Sequence, residues 1–175
     1  YGEVAGDIHI WAGITALAWL VYLRWYSVLG GRDAKALKAG SPLPVFLLES
    51  LDGHTVSSES FRAKPYLLLF YRGNWCPFCT AQIEELAAAY QRLERSGVGI
   101  VLISPQSIAK NQRLASKFDV PMIFLRDRNN AAAQQLGIDH KFGTPMGLQI
   151  LGFESDTVLP TVIMTNSEGN IVFSD

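Results

Sequence analysis

The two cysteines of this chain stand two residues apart, in Trp75-Cys76-Pro77-Phe78-Cys79. They fall where a continuous apolar run, residues 66–71 (YLLLFY), gives way to helical periodicity. Such a run reads as a strand buried on both faces of a parallel or mixed sheet. Beyond Pro77, the positions Ile83, Leu86, Tyr90 and Leu93 recur three and four residues apart, as one face of a helix does. The chain therefore passes from a buried strand through Cys76 into a helix. Pro77 suits the first helical turn, where its missing N–H costs no hydrogen bond. The sulfur of Cys76 lands at the helix N-terminus, where free N–H groups and the helix dipole favour a thiolate. Thiolate is the attacking species in thiol–disulfide exchange. Cys79, three positions on, lies within reach to resolve a mixed disulfide. Cys76 is thus the candidate nucleophile and Cys79 the resolving cysteine, with Trp75 and Phe78 forming an apolar rim for a substrate.

Other uses of a cysteine pair fit less well. A disulfide framework needs several cysteines at wider spacing. A structural zinc site needs four ligands, and His9, His54 and His140 show no paired spacing. Haem attachment needs His directly after the second cysteine, where this chain has Thr80. Two inert core cysteines are at odds with a position at a helix start. The reading therefore carries no metal and no cofactor beyond the Cys76–Cys79 redox pair. The net charge of −1 gives no sign of a nucleic-acid surface. Glu84, Glu85 and Lys117 read as solvated helix faces, and His54 and His140 as surface residues in a turn and a loop.

The remaining pattern alternates strands and helices. Residues 45–48 and Leu51-Asp52-Gly53-His54 read as a strand and a turn, 98–104 (VGIVLIS) as a second buried strand, and 108–118 as a second helix. Residues 122–125 read as a short strand and 129–136 as a helix, with Asp127 or Asn129 as N-cap and Gly137 as stop. Residues 138–158 show no regular pattern. Residues 161–165 and 171–173 then flank Asn166-Ser167-Glu168-Gly169-Asn170, the chemistry of a β-hairpin turn. Strand–helix–strand units followed by a hairpin predict an α/β fold with a mixed central sheet flanked by helices. Pro160, in Leu159-Pro160-Thr161, stands at the start of a strand that this pattern places centrally, although proline cannot donate to a sheet ladder.

Residues 8–29 (IHIWAGITALAWLVYLRWYSVL) predict a transmembrane helix, about 33 Å long against a hydrocarbon core of ~30 Å. Arg24 is its one formal charge, and Trp11, Tyr22, Trp25 and Tyr26 stand near its ends as interfacial aromatics do. A signal sequence would follow a basic flank, whereas here Glu3 and Asp7 precede the span. The expected organisation is a membrane anchor over residues 1–30, a linker over 31–41 and a catalytic domain over 42–175. The expected location is a single-pass membrane protein in contact with lipid through residues 8–29. Which side the domain faces stays open, as does the oligomeric state.

Five pieces of this sequence together resemble the thioredoxin superfamily, and within it the AhpC/TSA (redoxin, peroxiredoxin-like) family. They are Gly40-Ser41-Pro42-Leu43-Pro44-Val45-Phe46, Leu51-Asp52-Gly53, Phe70-Tyr71-Arg72-Gly73-Asn74-Trp75-Cys76-Pro77-Phe78-Cys79, Ile103-Ser104-Pro105 and Leu159-Pro160-Thr161. The resemblance implies a thioredoxin-like fold over about residues 40–175, the fold's closing helix after the hairpin not being among these residues. It implies that Pro160 is a cis-proline facing the disulfide and, with Leu159, contacts substrate. The family's peroxidases place Pro seven residues and Thr or Ser three residues before the reactive cysteine, the hydroxyl orienting the peroxide. Here those positions hold Leu69 and Gly73. The usual peroxide-binding arginine has no counterpart before the last hairpin, which leaves Arg72 as the local candidate.

Three functions follow as expectations. The leading one is a membrane-tethered thiol–disulfide oxidoreductase acting on protein or small-molecule thiols and disulfides. The second is a peroxidase, in which Cys76 becomes a sulfenic acid and condenses with Cys79. The third is a non-enzymatic assembly module that retains the fold.

Overall fold

The computed structural model describes residues 2–26 and 37–175. The chain separates into two units, Tyr1–Gly31 and Arg32–Asp175. In the first, helix α1 (Gly2–Val21) widens into a π-helical turn over Tyr22–Tyr26. The transmembrane expectation is corrected here: among the described residues no helix is long and apolar enough to cross a membrane. The α-helix takes Glu3 and Asp7 into its first turns and gives way to the π-turn after Val21. Its uninterrupted apolar part, residues 8–21, is about 21 Å long, short of a ~30 Å hydrocarbon core. Residues 27–29 of the expected span, and 31–36 of the expected linker, lie outside the described residues.

The second unit is built on a seven-stranded sheet. Its strands are β1 (Leu47–Ser50), β2 (Thr55–Ser57), β3 (Tyr66–Phe70), β4 (Gly99–Ser104), β5 (Ile123–Arg126), β8 (Thr161–Thr165) and β9 (Ile171–Ser174), in the order β2-β1-β5-β4-β3-β8-β9. A separate two-stranded ribbon pairs β6 (Asp139–His140) with β7 (Thr157–Val158), so the segment without regular pattern closes on itself at its two ends. The pairs β3–β4 and β4–β5 are parallel, and the remaining pairs in the sheet are antiparallel. The mixed sheet read from the pattern is therefore the observed one. Residues 40–43, partly within the expected linker, pair with the last hairpin: the Gly40 N–H donates to Ile171 O at 2.7 Å and Leu43 N–H to Gly169 O at 2.9 Å.

Every residue of β3 is buried because both faces of the sheet are covered. Leu68 and Phe70 point into one core with Val101, Ile103, Leu125 and Ile163, closed by Ala132, Ala133 and Leu136 around the short helix α4 (Ala131–Gln135). Leu67, Leu69 and Tyr71 point into the other, with Ile100, Leu102 and Phe124. Helix α2 (Pro77–Arg95) covers that second face through Ile83, backed by Leu86, Tyr90 and Leu93, the periodic positions of the sequence. Helix α3 (Ile108–Ala115) adds Leu114. Cys76 and Cys79 belong to this second core, beneath the start of α2. The carboxyl ends of β3, β4 and β5 meet there, which is where open α/β sheets place their ligand sites.

Candidate active site

Cys76 is the N-cap of α2, with extended backbone angles (φ −92°, ψ 108°) and Pro77 in the first turn. Its own N–H donates to Gly73 O at 3.2 Å, closing a tight turn between β3 and α2, and its carbonyl accepts the Thr80 N–H at 3.1 Å. Both thiols are free and buried. The Cys79 thiol donates to Cys76 Sγ at 2.8 Å. Burial pushes the Cys79 thiol up to about 12, and its bond to Cys76 adds to the shift, so Cys79 waits as a protonated thiol behind the first cysteine. The helix start thus carries a buried Cys76 and holds its partner's sulfur 2.8 Å away. Phe78, between them, is 86 % exposed, a rim residue rather than a shield.

Arg72 lies under this turn. Its backbone N–H and its charge work against the burial that raises the Cys79 thiol. Its guanidinium Nη2 donates to His140 Nδ1 at 3.2 Å, while its Nε is buried with no hydrogen-bond partner. His140 was expected at the surface, yet β6 carries it against Arg72. Burial, and then the guanidinium charge, hold the imidazole below its ordinary value. It is therefore a neutral ring that accepts at Nδ1. Arg72, Trp75, Gln106, Ser107, Arg126 and Asp156 line a pocket of about 50 Å³. Thr144, Gly152, Phe153 and Glu154 add to its lining. The Arg126 guanidinium meets Glu154 at 3.5 Å, and Lys110 Nζ donates to Gly152 O at 2.9 Å while lying over the Phe153 ring.

A buried polar network that the sequence pattern did not reveal fixes the turn from behind. The Asn111 side-chain oxygen accepts from the Tyr71 hydroxyl at 2.7 Å, the Ser104 hydroxyl at 3.0 Å and Gln106 Nε2 at 2.6 Å. Gln106 Oε1 in turn accepts the Asn74 backbone N–H at 2.9 Å. All four side chains are buried. The signal in the sequence was position: Gln106 stands two residues past the end of a buried strand, and strand ends beside a reactive motif are where positioning groups gather.

The expectation of a cis-proline at Pro160 is corrected. No peptide bond among the described residues is cis, so Pro160 follows Leu159 in the trans form. Leu159 donates its N–H to Ile138 O at 2.8 Å, and its side chain packs in the core on the Leu68–Phe70 face rather than on the face of the cysteines. Pro160 is exposed at the entry to β8.

"Peroxiredoxin Q, chloroplastic" from Triticum aestivum is 33% identical over 111 residues, covering 63% of this chain and 51% of the relative. The protein of the same name from Sedum lineare is 29% identical, covering 74% of this chain and 69% of the relative. The chain thus spans about half to two thirds of the length of these relatives. Among solved structures, Peroxidoxin BcpB from Mycobacterium tuberculosis superposes with a TM-score of 0.65 at 17% identity, over 79% of this chain and 85% of that one. That likeness gives the thioredoxin-like fold. The AhpC/TSA family model matches residues 39–174, from the segment docked on the last hairpin, through both cysteines, to the closing strand. The chain belongs to the AhpC/TSA family.

Proposed function

We propose that the chain is a thiol peroxidase that reduces hydroperoxides at Cys76 and returns through a Cys76–Cys79 disulfide. The observation that carries this reading is the pair itself: Cys76 at the head of α2 with a protonated Cys79 thiol 2.8 Å away. Relatives named Peroxiredoxin Q support it over the disulfide-exchange reading that the motif alone favours.

In the first step the Cys76 thiolate attacks the terminal oxygen of the hydroperoxide. An S–O bond forms and the O–O bond breaks. The departing alkoxide takes a proton from solvent and leaves as alcohol, or as water when the substrate is hydrogen peroxide. In the second step Cys79 attacks the sulfenic sulfur, and its proton leaves with the hydroxyl as water. Disulfide closure brings the two sulfurs to about 2.05 Å, a shift of ~0.8 Å within reach of side-chain rotation, so α2 need not unwind. An external dithiol then reduces the disulfide by exchange. Thiol–disulfide chemistry is thus the return half of the same cycle.

The test is trapping. With Cys79→Ser, one equivalent of hydroperoxide leaves a sulfenic acid on Cys76, read by mass spectrometry as an adduct with a cyclic 1,3-dione. The unsubstituted protein gives the Cys76–Cys79 disulfide and no adduct. Absence of the adduct in Cys79→Ser contradicts the reading.

A further inference from the structure

We propose that His140 is a positioning residue for the closure step: it holds the Arg72 guanidinium by Cys79, where an uncompensated positive charge favours the thiolate that attacks Cys76. The proposal deepens the reading above and rests only on its second step, which any Cys76–Cys79 redox cycle shares. The β6–β7 ribbon grips Arg72 twice. His140 and Thr157 are cross-strand partners in that ribbon. His140 Nδ1 accepts from Arg72 Nη2 at 3.2 Å, and the Thr157 hydroxyl donates to Arg72 O at 3.3 Å. Gly143 backs this grip. A Cβ there would stand 2.5 Å from His140 Nδ1 and 2.8 Å from Thr157 Cγ2, so a side chain at 143 would push the ring off Arg72.

The guanidinium so held forms no ion pair among the described residues. Its Nη2 bonds a neutral ring, and its Nε is buried and bonds nothing. Asp139 and Asp156 act on His140, yet neither pairs with Arg72, and Asp156 Oδ1 takes the Phe142 N–H at 2.9 Å. A half-buried cation without a counter-ion costs free energy, and an anion forming near it recovers that cost. The anion at hand is on Cys79. Arg72 leads into the turn whose Gly73 O takes the Cys76 N–H, and the side chain of its neighbour Tyr71 shares a core with Cys79. The Arg72 charge opposes the burial that raises the Cys79 thiol. The other groups that face this thiol are the Cys76 sulfur and the Tyr71 hydroxyl, which burial keeps protonated. In the closure step Cys79 loses its proton and its sulfur attacks Cys76. The S–S bond forms, the S–O bond breaks, and the departing hydroxide takes up a proton and leaves as water. A fixed positive charge favours the thiolate on which this step depends.

Closure is measured without peroxide, using one equivalent of the neutral reagent 4,4′-dithiodipyridine on the reduced chain. Attack by Cys76 releases a first pyridinethione, and attack by Cys79 on the resulting mixed disulfide releases the second. The quantity read is the ratio of the second rate to the first. In Arg72→Gln and in His140→Leu this ratio is expected to fall at least about tenfold at neutral pH, with its rise on alkalinisation displaced to higher pH. Arg72→Lys keeps the charge, and His140→Asn offers a side-chain oxygen in place of Nδ1, so both should recover most of the loss. A ratio unchanged in Arg72→Gln or in His140→Leu overturns the proposal, including the case in which both rates fall together. A fall in His140→Asn equal to that in His140→Leu overturns it too. If His140→Leu does not fold, Gly143→Ala decides, since it displaces the ring and alters neither partner. The ratio should fall there as well, and an unchanged ratio overturns the proposal. Failure in this assay leaves the peroxidase reading standing. A chain that closes as expected yet reacts with hydrogen peroxide no faster than free cysteine loses the peroxidase reading and keeps this one.

Discussion

Arg72 and His140 show how two side chains far apart in sequence become one electrostatic unit. The guanidinium donates to Nδ1 at 3.2 Å, which fixes the proton of the neutral ring on Nε2. Protonating His140 would remove that acceptor and set two cations against each other in a partly buried place. The imidazole is therefore expected to titrate below its ordinary value of 6.5, with burial as the larger cause and Arg72 the next. A depressed folded value means that this histidine adds stability at neutral pH and loses it as pH falls through the folded value. Proton NMR of the His140 ring checks this. Its midpoint should lie below the ordinary value and move up toward it in Arg72→Gln. A midpoint at or above the ordinary value would contradict the pairing. Cys79 illustrates the opposite shift at the same site, since burial keeps it a thiol until Cys76 offers it a sulfur to attack.

At the scale of elements, the junction between β3 and α2 carries the chemistry, and the network on Asn111 holds that junction in place. Asn111 sits on α3 and gathers donors from the end of β3, the end of β4 and the loop after β4. Replacing it by Ala takes this acceptor from the buried Tyr71 and Ser104 hydroxyls, while Gln106 Nε2 keeps its 3.2 Å bond to the Tyr71 hydroxyl. Each such group costs about 1–3 kcal/mol, so Asn111→Ala should lower unfolding stability by at least about 2 kcal/mol in urea denaturation. A loss below about 0.5 kcal/mol would mean that water or a rearranged Gln106 replaces the amide. The junction was legible in the sequence because its signals are local: an apolar run, a cysteine, a proline in the first turn, then a three-and-four repeat. The network was not legible, because no periodicity marks a Gln and an Asn whose partners come from three separate elements. His140 was missed for the same reason. The β6–β7 ribbon that carries it is too short to leave a pattern. Pro160 was misjudged because a proline at a strand start reads alike in cis and trans, and the pairing of β8 with β3 is what settles where Leu159 points.

For the whole molecule, the sheet order places two parallel connections in the middle and a hairpin at each edge, so the strand ends that bear Arg72, Gln106 and Arg126 converge on a single crevice. Alternation along β3 divides the core in two, and the cysteines fall on the side that α2 covers. Composition and periodicity were enough to read this mixed α/β architecture. They misread the N-terminal segment, where a long apolar stretch in sequence became a shorter α-helix bounded by two acidic residues and a π-turn. The central claim concerns Cys76, and the most direct measurement is the second-order rate constant for oxidation of the reduced chain by hydrogen peroxide, set beside that of free cysteine under the same conditions. The account predicts a rate at least about a hundredfold above free cysteine, lost in Cys76→Ser and ending in a Cys76–Cys79 disulfide. A rate equal to that of free cysteine, with fast oxidation by a protein disulfide instead, would contradict it and make this a disulfide-exchange protein.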